Sequence, residues 1–441
     1  MVTLHDDGGR QRSRAMRLAG ISGATFRLVN VCVILLTTPL LVAALGESAF
    51  GVFVTITALS GYLALSDLGI GAGLLTVLGK ASETGDDSKM SAIVGNALWI
   101  LLVAGMIVTV LGLTISMLVD LPRLLGAPPT LAGASTQAFQ IFVIGFGLQI
   151  PLSLAGRIQS ALQNGAEAAF WLAMVTSLSS AAAALSAWVT GSVTVTVASS
   201  VCASCAVLLV QTIRVIYAYP WLRSHRSVRF ERTPSHGLVS SSGWLFLLQL
   251  SAVVAFQTDV ILVAAVLGSD NAAIFHSALR MFSLVSLVTT ALAAQFWPAT
   301  AAALSGGGNA WVKSTHSRLA WQLPLITALA GVILTVTGQT LIRLWLGPAL
   351  VPPVGLLVAL ALWTTYGSFV FPYSQLLNGA GILKPQVALG IGMAIANLAI
   401  SLALTRWIGL PGPPLGSLLA HITVALVPTL LLTRSLLRRA Q

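Results

Sequence analysis

Residues 91–118 read SAIVGNALWILLVAGMIVTVLGLTISML and contain no aspartate, glutamate, lysine or arginine. An α-helix needs about 20 mostly apolar residues to cross the hydrocarbon core of a bilayer, so this stretch predicts a membrane-spanning helix. The same pattern recurs along the whole chain. The sequence therefore predicts an all-α membrane protein of about twelve transmembrane helices. The predicted spans are 17–45, 48–79, 91–118, 136–156, 169–189, 193–219, 237–267, 271–303, 315–342, 354–378, 385–408 and 411–433.

The composition excludes an ordinary soluble protein. Of the 441 residues, 56% are hydrophobic and only 8% are charged, and the mean hydropathy is +0.91. A soluble domain carries roughly 25% charged residues, because water has to be the solvent of its whole surface. The net charge is +11, but the basic residues are scattered between apolar segments without interleaved aromatic residues. This distribution does not favour nucleic-acid binding.

The basic residues predict the orientation, because cytoplasmic loops of membrane proteins carry an excess of lysine and arginine. With the N-terminus inside, 17 of the 23 basic residues fall in cytoplasmic segments, three fall outside and three lie within spans. An odd number of spans would destroy this bias. We therefore expect an even number of spans and cytoplasmic termini.

Three short motifs occur in the same order in both halves of the chain, which indicates an internal duplication. Six spans in each half keep the two halves in one orientation, so the predicted repeat is parallel, with a pseudo-two-fold axis along the membrane normal. We expect a six-helix lobe at 1–219, a basic cytoplasmic linker at 220–236 and a second six-helix lobe at 237–441. The matched pairs are Leu45–Gly46 with Leu267–Gly268, Leu125–Gly126 with Leu346–Gly347, and 160–167 with 374–381.

Motifs for catalysis and cofactor binding are missing from the sequence. The glycine-rich segment 305–309 is followed by no Gly-Lys-Ser/Thr, so it is not a nucleotide-binding loop. The six histidines show no metal-ligand spacing. Cys202 and Cys205 form a C-x-x-C within an apolar helix, where small packing residues are the better interpretation. We expect no cofactor, no metal site and no enzymatic activity.

Charged residues inside spans mark the candidate site, because a charge in hydrocarbon is costly and usually faces a cavity or a partner. At 1.5 Å per residue, Arg27 and Asp67 lie toward the cytoplasmic side, whereas Asp259 and Arg280 lie roughly 14 Å below the outer surface. Two interpretations stay open. Either the arginines contact an anionic substrate in a central cavity, or each arginine is paired with its aspartate for structural reasons. Secondary candidates are Gln149, Gln249, Gln257, Tyr373 and Asn378.

Several segments resemble the Wzx-like polysaccharide flippases of the multidrug/oligosaccharidyl-lipid/polysaccharide exporter superfamily. These are LSDLGIG at 65–71, TDVILV at 258–263 followed by Leu267–Gly268, and SQLLNGAG at 374–381. The resemblance implies two six-helix lobes in the inner membrane of a bacterium. It also implies an oligosaccharide on an undecaprenyl pyrophosphate carrier as the substrate, with Arg27 and Arg280 as cavity cations. The polysaccharide polymerase machinery is then a further expected partner.

Two other functions fit parts of the pattern. A drug/cation antiporter of the same fold would typically carry an acidic residue in its first helix, where this chain has Arg27 and Asn30. A membrane polymerase or ligase usually needs a long outer loop for catalysis, and the longest predicted outer loop, 119–135, is short and poor in polar residues. The sequence therefore favours the flippase.

Overall fold

The computed structural model contains only helices and their connections among the residues that it describes. These residues are 6–60, 74, 77–79, 81–82, 86–162, 164–224, 258–293, 296, 300, 303, 309–382 and 384–439. Of the predicted span 237–267, only Thr258–Leu267 falls within this part of the chain.

Where the residues are described, the helices follow the predicted spans. Most of 61–79 in the second predicted span and most of 294–303 in the eighth lie outside the described residues. In chain order they are α1 Asp6–Ala58, α2 Asp87–Leu118, α3 Ala132–Leu152, α4 Leu154–Ala161, α5 Gly165–Thr190, α6 Val193–Ala218, α7 Thr258–Leu267, α8 Ser269–Ala293, α9 Asn309–Leu346, α10 Val354–Gly379, α11 Lys384–Ile408, α12 Gly412–Ala420, the π-helix His421–Leu426 and α13 Val427–Arg439. Short helical turns at Leu121–Leu124, Pro129–Leu131, Trp221–Ser224 and Pro348–Leu350 connect them.

Within the described residues, nine helical segments are long and apolar enough to cross a membrane. No membrane is part of the structure, so this finding rests on length and composition. The segments are Val29–Ala58, Asp87–Leu118, Pro129–Ala161, Gly165–Thr190, Val193–Ala218, Asn309–Leu346, Val354–Gly379, Lys384–Ile408 and Gly412–Arg438.

The repeated glycines break the chain at matching places. Gly46 interrupts α1 with a φ of 75°, and Gly268 separates α7 from α8 with a φ of 92°. Gly126 and Gly347 follow their helices with φ values of 64° and 93°. Only glycine adopts these angles without steric cost, so each Leu-Gly motif ends one helix and lets the next begin.

A further matched pair was not recognised in the sequence. Gly191, with a φ of 60°, joins α5 to α6, and Gly409, with a φ of 74°, precedes α12. The Gly191 N–H donates to the carbonyl of Ala187 at 2.7 Å, and the Gly409 N–H donates to that of Thr405 at 3.0 Å. Both helices therefore end in the same left-handed cap, and the predicted boundary between the fifth and sixth spans is confirmed.

The chain forms two compact units, and each is assembled from separate stretches. Unit 1 comprises Met1–Gly46, Leu63–Leu121 and Gly133–Gly243, and unit 2 comprises Glu47–Tyr62, Pro122–Ala132 and Trp244–Gln441. Short segments of the first half of the chain thus pack with the second half in unit 2. The predicted division at 219 and 237 stays a prediction.

In unit 1, α2 and α3 cross where glycines face each other. A Cβ atom added to Gly105 would lie 2.4 Å from the carbonyl oxygen of Gly147, and one added to Gly147 would lie 1.9 Å from the Thr109 hydroxyl oxygen. Small residues that allow backbones to approach are the usual basis of helix association in membranes. This contact fixes the two helices at close range.

Candidate functional site

Arg280 lies on α8 in unit 2, and its side chain is exposed. Its Nε atom donates a hydrogen bond to Nε2 of His276, one turn earlier, at 3.3 Å. Because Nε2 accepts this bond, the proton of the neutral imidazole lies on Nδ1. That Nδ1 atom is buried and has no hydrogen-bond partner within the described residues. The arginine is therefore held by a neutral ring and keeps its full positive charge.

Of the two interpretations left open for Arg280, the structural ion pair with Asp259 is not formed between the described residues. Both side chains lie within the described part of the chain, and no contact of 4.0 Å or less joins their charged atoms. Asp259 is half-buried and is the second residue of α7 as described, next to Thr258. Matching depth on successive helices fixes height but not direction around each axis, and the break at Gly268 redirects α8 relative to α7. His276, rather than Asp259, is the side-chain partner of Arg280 among the described residues.

The other sequence-predicted residues fall partly or wholly outside the described residues. Arg27 lies in α1, but its side chain is outside the described part, and so are Asp67, Gln249 and Gln257. Three residues after Arg27, the Asn30 Oδ1 atom accepts hydrogen bonds from Thr176 at 2.6 Å and from Ser177 at 2.9 Å. Unit 1 therefore carries a polar cluster at this level of α1.

A row of aromatic side chains runs along one face of α10. It consists of Trp363, Tyr366, Phe369 and Tyr373, and we call it the aromatic row. Successive ring centroids lie 6.2, 6.4 and 5.2 Å apart. Spacings of three and four residues place all four rings on one helix face, and these distances are in the favourable range for aromatic pairs. All four are half-buried, so each ring presents part of its surface.

His421 contacts the aromatic row near the middle of the span. The Tyr366 hydroxyl and Nδ1 of His421 are hydrogen-bonded at 2.8 Å, and the two rings meet edge-on with centroids 5.2 Å apart. The Trp363 ring lies 6.5 Å from the same imidazole. His421 is also the first residue of the π-helix. Such helices are rare and are frequently found at functional sites.

The far end of the row meets a second histidine. The His316 ring on α9 packs edge-on against Tyr373 at 4.6 Å, and Phe296 stacks on His316 at 6.4 Å. Trp311 continues the series, 6.3 Å from Phe296. A continuous series of ring contacts thus runs from the middle of α10 to the N-terminal end of α9. Of this set, only Tyr373 was a candidate from sequence, although the i, i+3, i+6, i+10 spacing was visible there.

A tight junction of three backbones lies elsewhere in unit 2. Ser269 begins α8, and its N–H donates to the carbonyl oxygen of Gly126 at 2.9 Å. A Cβ atom added to Gly51 would lie 1.8 Å from the carbonyl oxygen of Ser269, and one added to Gly126 would lie 2.2 Å from that of Ala264. We call Gly51, Gly126, Gly268 and Ser269 the glycine junction. Its three chain segments approach so closely that side chains are excluded.

The glycine junction is in contact with the partner of Arg280. The Phe50 ring, beside Gly51, meets the His276 imidazole edge-on with centroids 6.3 Å apart. A continuous path therefore leads from the Arg280 guanidinium through His276 and Phe50 to the junction. A ligand that draws Arg280 away from His276 would act directly on a residue that packs against the junction.

Comparison with known proteins places these features in a family context. A model of the polysaccharide biosynthesis protein family matches residues 21–302. No functionally curated protein matches the chain at a significant level.

Solved structures match the chain over nearly its whole length. An inward-facing multidrug resistance MATE family transporter of the MOP superfamily has 16% identity and a TM-score of 0.71, with 95% of each chain covered. An outward-facing one has 15% identity and a TM-score of 0.64, with 96% of each chain covered. A MOP superfamily transporter from Pyrococcus furiosus Vc1, described as having a binding pocket of reverse polarity, has 14% identity and a TM-score of 0.63, with 96% and 94% covered. At these identities the likeness shows the fold alone, and it confirms the predicted fold class.

Proposed function

Because the chain belongs to the polysaccharide biosynthesis protein family, we propose that it is a flippase. Its substrate is an oligosaccharide linked to undecaprenyl pyrophosphate, which it moves from the cytoplasmic to the periplasmic leaflet of the bacterial inner membrane. The family, together with a fold shared with solved transporters, supports the proposal of a transporter rather than an enzyme. In the proposed orientation both termini are cytoplasmic, as the distribution of basic residues predicts.

The environment of Arg280 is the observation that carries this proposal. Within the described residues, its guanidinium has a neutral hydrogen-bond partner, His276, and no carboxylate within 4.0 Å. Arg280 lies in the predicted eighth span, and a cation within a span is costly unless a partner or water compensates it, so such residues often mark a substrate path. An arginine already neutralised by Asp259 would have favoured the structural interpretation.

The chemistry of the guanidinium suits a pyrophosphate. Only the Nε edge is engaged by His276 in the described part of the chain. The terminal amino groups can therefore form forked hydrogen bonds to phosphate oxygens, which arginine makes better than lysine. A pyrophosphate cannot enter hydrocarbon without compensation of its charge. We propose Arg280 as an anchor of this group. Further residues proposed for the substrate path are Arg27, Asp67, Asp259, Gln249 and Gln257.

Transport requires that the pathway opens alternately to the two leaflets, and solved proteins of this fold have inward-facing and outward-facing forms. We assign the glycine junction to the closed periplasmic end, since Gly46, Gly126 and Gly268 all follow predicted outer ends of helices. Binding of pyrophosphate at Arg280 withdraws the guanidinium from His276. His276 then repacks against Phe50, and the junction is weakened.

The experiment compares arginine variants in cells that lack the native gene and carry it on a plasmid. Export of polysaccharide, accumulation of the lipid-linked oligosaccharide and protein level are measured together. We expect Arg280→Lys to lower export at least tenfold, because the charge stays while the fork is lost; this corresponds to about 1.4 kcal/mol or more. Arg280→Ala should abolish export with accumulation of the lipid-linked precursor.

Arg406→Lys is the matched control, because Arg406 is exposed near the end of α11 and its charge is likewise retained. This variant should export normally. Normal export by Arg280→Ala at normal protein level would refute the proposed role of Arg280. Transport of organic cations by the purified protein, without effect on polysaccharide export, would establish a drug antiporter instead.

A further inference from the structure

The aromatic row on α10 is partly exposed and also carries polar groups. A surface that only faces lipid, or only packs against other helices, has no need for this combination. Its rings are half-buried rather than enclosed. Two of its four members, Trp363 and Tyr366, lie against the imidazole of His421 and carry polar atoms at their rims. Contact with lipid tails does not explain these rings, because leucine is as apolar as a lipid tail and would serve equally well.

The depth of the row makes these polar groups unusual. Tyr366 lies twelve residues after the start of α10 and His421 lies nine after the start of α12, which places both near mid-span, roughly 14–18 Å from the helix ends. A hydroxyl and an imidazole at that depth are expensive in contact with hydrocarbon. They satisfy one hydrogen bond with each other, and each keeps further capacity, since a tyrosine oxygen has two lone pairs and an imidazole has two nitrogens.

The row is bordered by exposed positions on both sides of the Trp363–Tyr366 pair. Gly367 directly follows Tyr366, is exposed, and a Cβ atom added there would meet nothing within 4 Å. Leu362, which directly precedes Trp363, is 49% exposed. A flat ligand can therefore reach the Trp363 and Tyr366 rings without displacement of the helix packing.

We infer that Trp363, Tyr366 and His421 form a binding site for the sugar rings of the transported lipid. A pyranose ring has an apolar C–H face, which stacks on an aromatic face, and hydroxyls at its edge, which bond to polar groups beside that aromatic ring. Binding sites for such ligands are typically lined by aromatic residues with a few convergent polar groups. The Tyr366 hydroxyl and His421 supply those groups. The continuation of aromatic rings through Phe369, Tyr373 and His316 offers successive positions for a chain of sugars.

This inference rests on the proposed function and assigns the sugar part of the substrate, whereas Arg280 is assigned the pyrophosphate. Variants of the aromatic row and variants of Arg280 should therefore differ in which carrier lipids they bind less well. A defect at the aromatic row should lower the preference for carriers that bear sugar over carriers that do not. A defect at Arg280 should lower the binding of both pyrophosphate carriers equally.

The test measures which carrier lipids copurify with the protein from cells that make their own polysaccharide. Sugar-bearing and sugar-free undecaprenyl pyrophosphate are extracted and quantified by mass spectrometry, and their ratio is divided by the ratio in the same membranes. We expect enrichment of the sugar-bearing form on the wild type. Trp363→Leu and Tyr366→Leu should each reduce the enrichment about tenfold, because ring stacking contributes about 1.4 kcal/mol. Trp407→Leu is the matched control, since Trp407 is 82% exposed at the end of α11.

Tyr366→Phe covers the case in which the leucine variants do not fold. It keeps the ring and removes only the hydroxyl, so the enrichment should fall about fivefold for one hydrogen bond of about 1 kcal/mol. Enrichment equal to the wild type in Tyr366→Phe, or in both folded leucine variants, would overturn the inference. So would a wild-type protein that binds both carriers without preference. A wild-type protein that retains no carrier lipid at all would instead contradict the proposed function.

Discussion

Replacement of Gly51 by alanine should force the glycine junction open. The new Cβ atom would lie 1.8 Å from the carbonyl oxygen of Ser269 and 2.4 Å from its carbonyl carbon. Ordinary contact requires the two backbones to separate by roughly 1.6 Å, and overpacking of this kind costs about 1–3 kcal/mol. The same movement stretches the hydrogen bond from Ser269 to Gly126, whose loss costs about 1 kcal/mol. A total of at least about 2 kcal/mol changes the ratio of closed to open junctions roughly thirtyfold.

Electron–electron distance measurements between spin labels can detect this change. After removal of the three native cysteines, labels are placed at Thr130 and Asp270, which are exposed on two of the segments that meet at the junction. The parent protein should give a short distance, and Gly51→Ala should add a longer population that dominates. Gly133→Ala is the control, because a Cβ atom there meets nothing within 4 Å. A distance distribution unchanged by Gly51→Ala in folded protein would show that the junction is not closed by backbone contact.

Three further results are expected. The double variant Arg280→Ala/Asp259→Ala should export no more polysaccharide than Arg280→Ala, because the two side chains are not paired; recovery of export in the double variant would restore the structural interpretation. Gly147→Ala should lower the thermal unfolding temperature of the purified protein, since its Cβ atom would clash with a threonine hydroxyl at 1.9 Å and cost about 1–3 kcal/mol, whereas Gly165→Ala, where a Cβ atom meets nothing within 4 Å, should not. A reporter enzyme that works only in the cytoplasm should be active when fused at residue 228, and one that works only in the periplasm should be inactive there. Activity of the periplasmic reporter would contradict the predicted orientation.

The helix boundaries could be predicted because local chemistry determines them. Gly46 and Gly268 each follow a long apolar run, and a glycine at such a place both ends a helix and allows a positive φ. The same logic would have identified Gly191 and Gly409 as a matched pair. Hydropathy and a few glycines thus suffice for the order and ends of these helices.

The contacts of the charged residues could not be predicted in the same way. Helical rise gives the depth of Arg280 and Asp259, but contact also depends on direction around two helix axes and on the angle introduced at Gly268. His276 lies one turn from Arg280 on the same helix, and a pair at this spacing meets regardless of tertiary structure. Local partners of charged residues within a helix are therefore more predictable than distant partners of opposite charge.

The aromatic row was missed for a different reason. Its spacing was visible in the sequence, but aromatic residues at helical intervals are common in membrane spans and carry no signal alone. His421 lies on another helix, more than fifty residues away, and only the fold brings it to Tyr366. The π-helix that begins there has no recognisable sequence pattern.

The composition of unit 2 has a consequence for how the protein is made. Its first stretch, Glu47–Tyr62, leaves the ribosome long before Trp244–Gln441 is synthesised. The partners of Gly51 and Phe50 are Ser269 and His276, more than two hundred residues later. Contacts of such long sequence separation form late, because the loop between them has to be closed first. The early segment must therefore remain in the membrane without these partners, and the close-contact surface at Gly51 can pair wrongly until the eighth predicted span has been inserted.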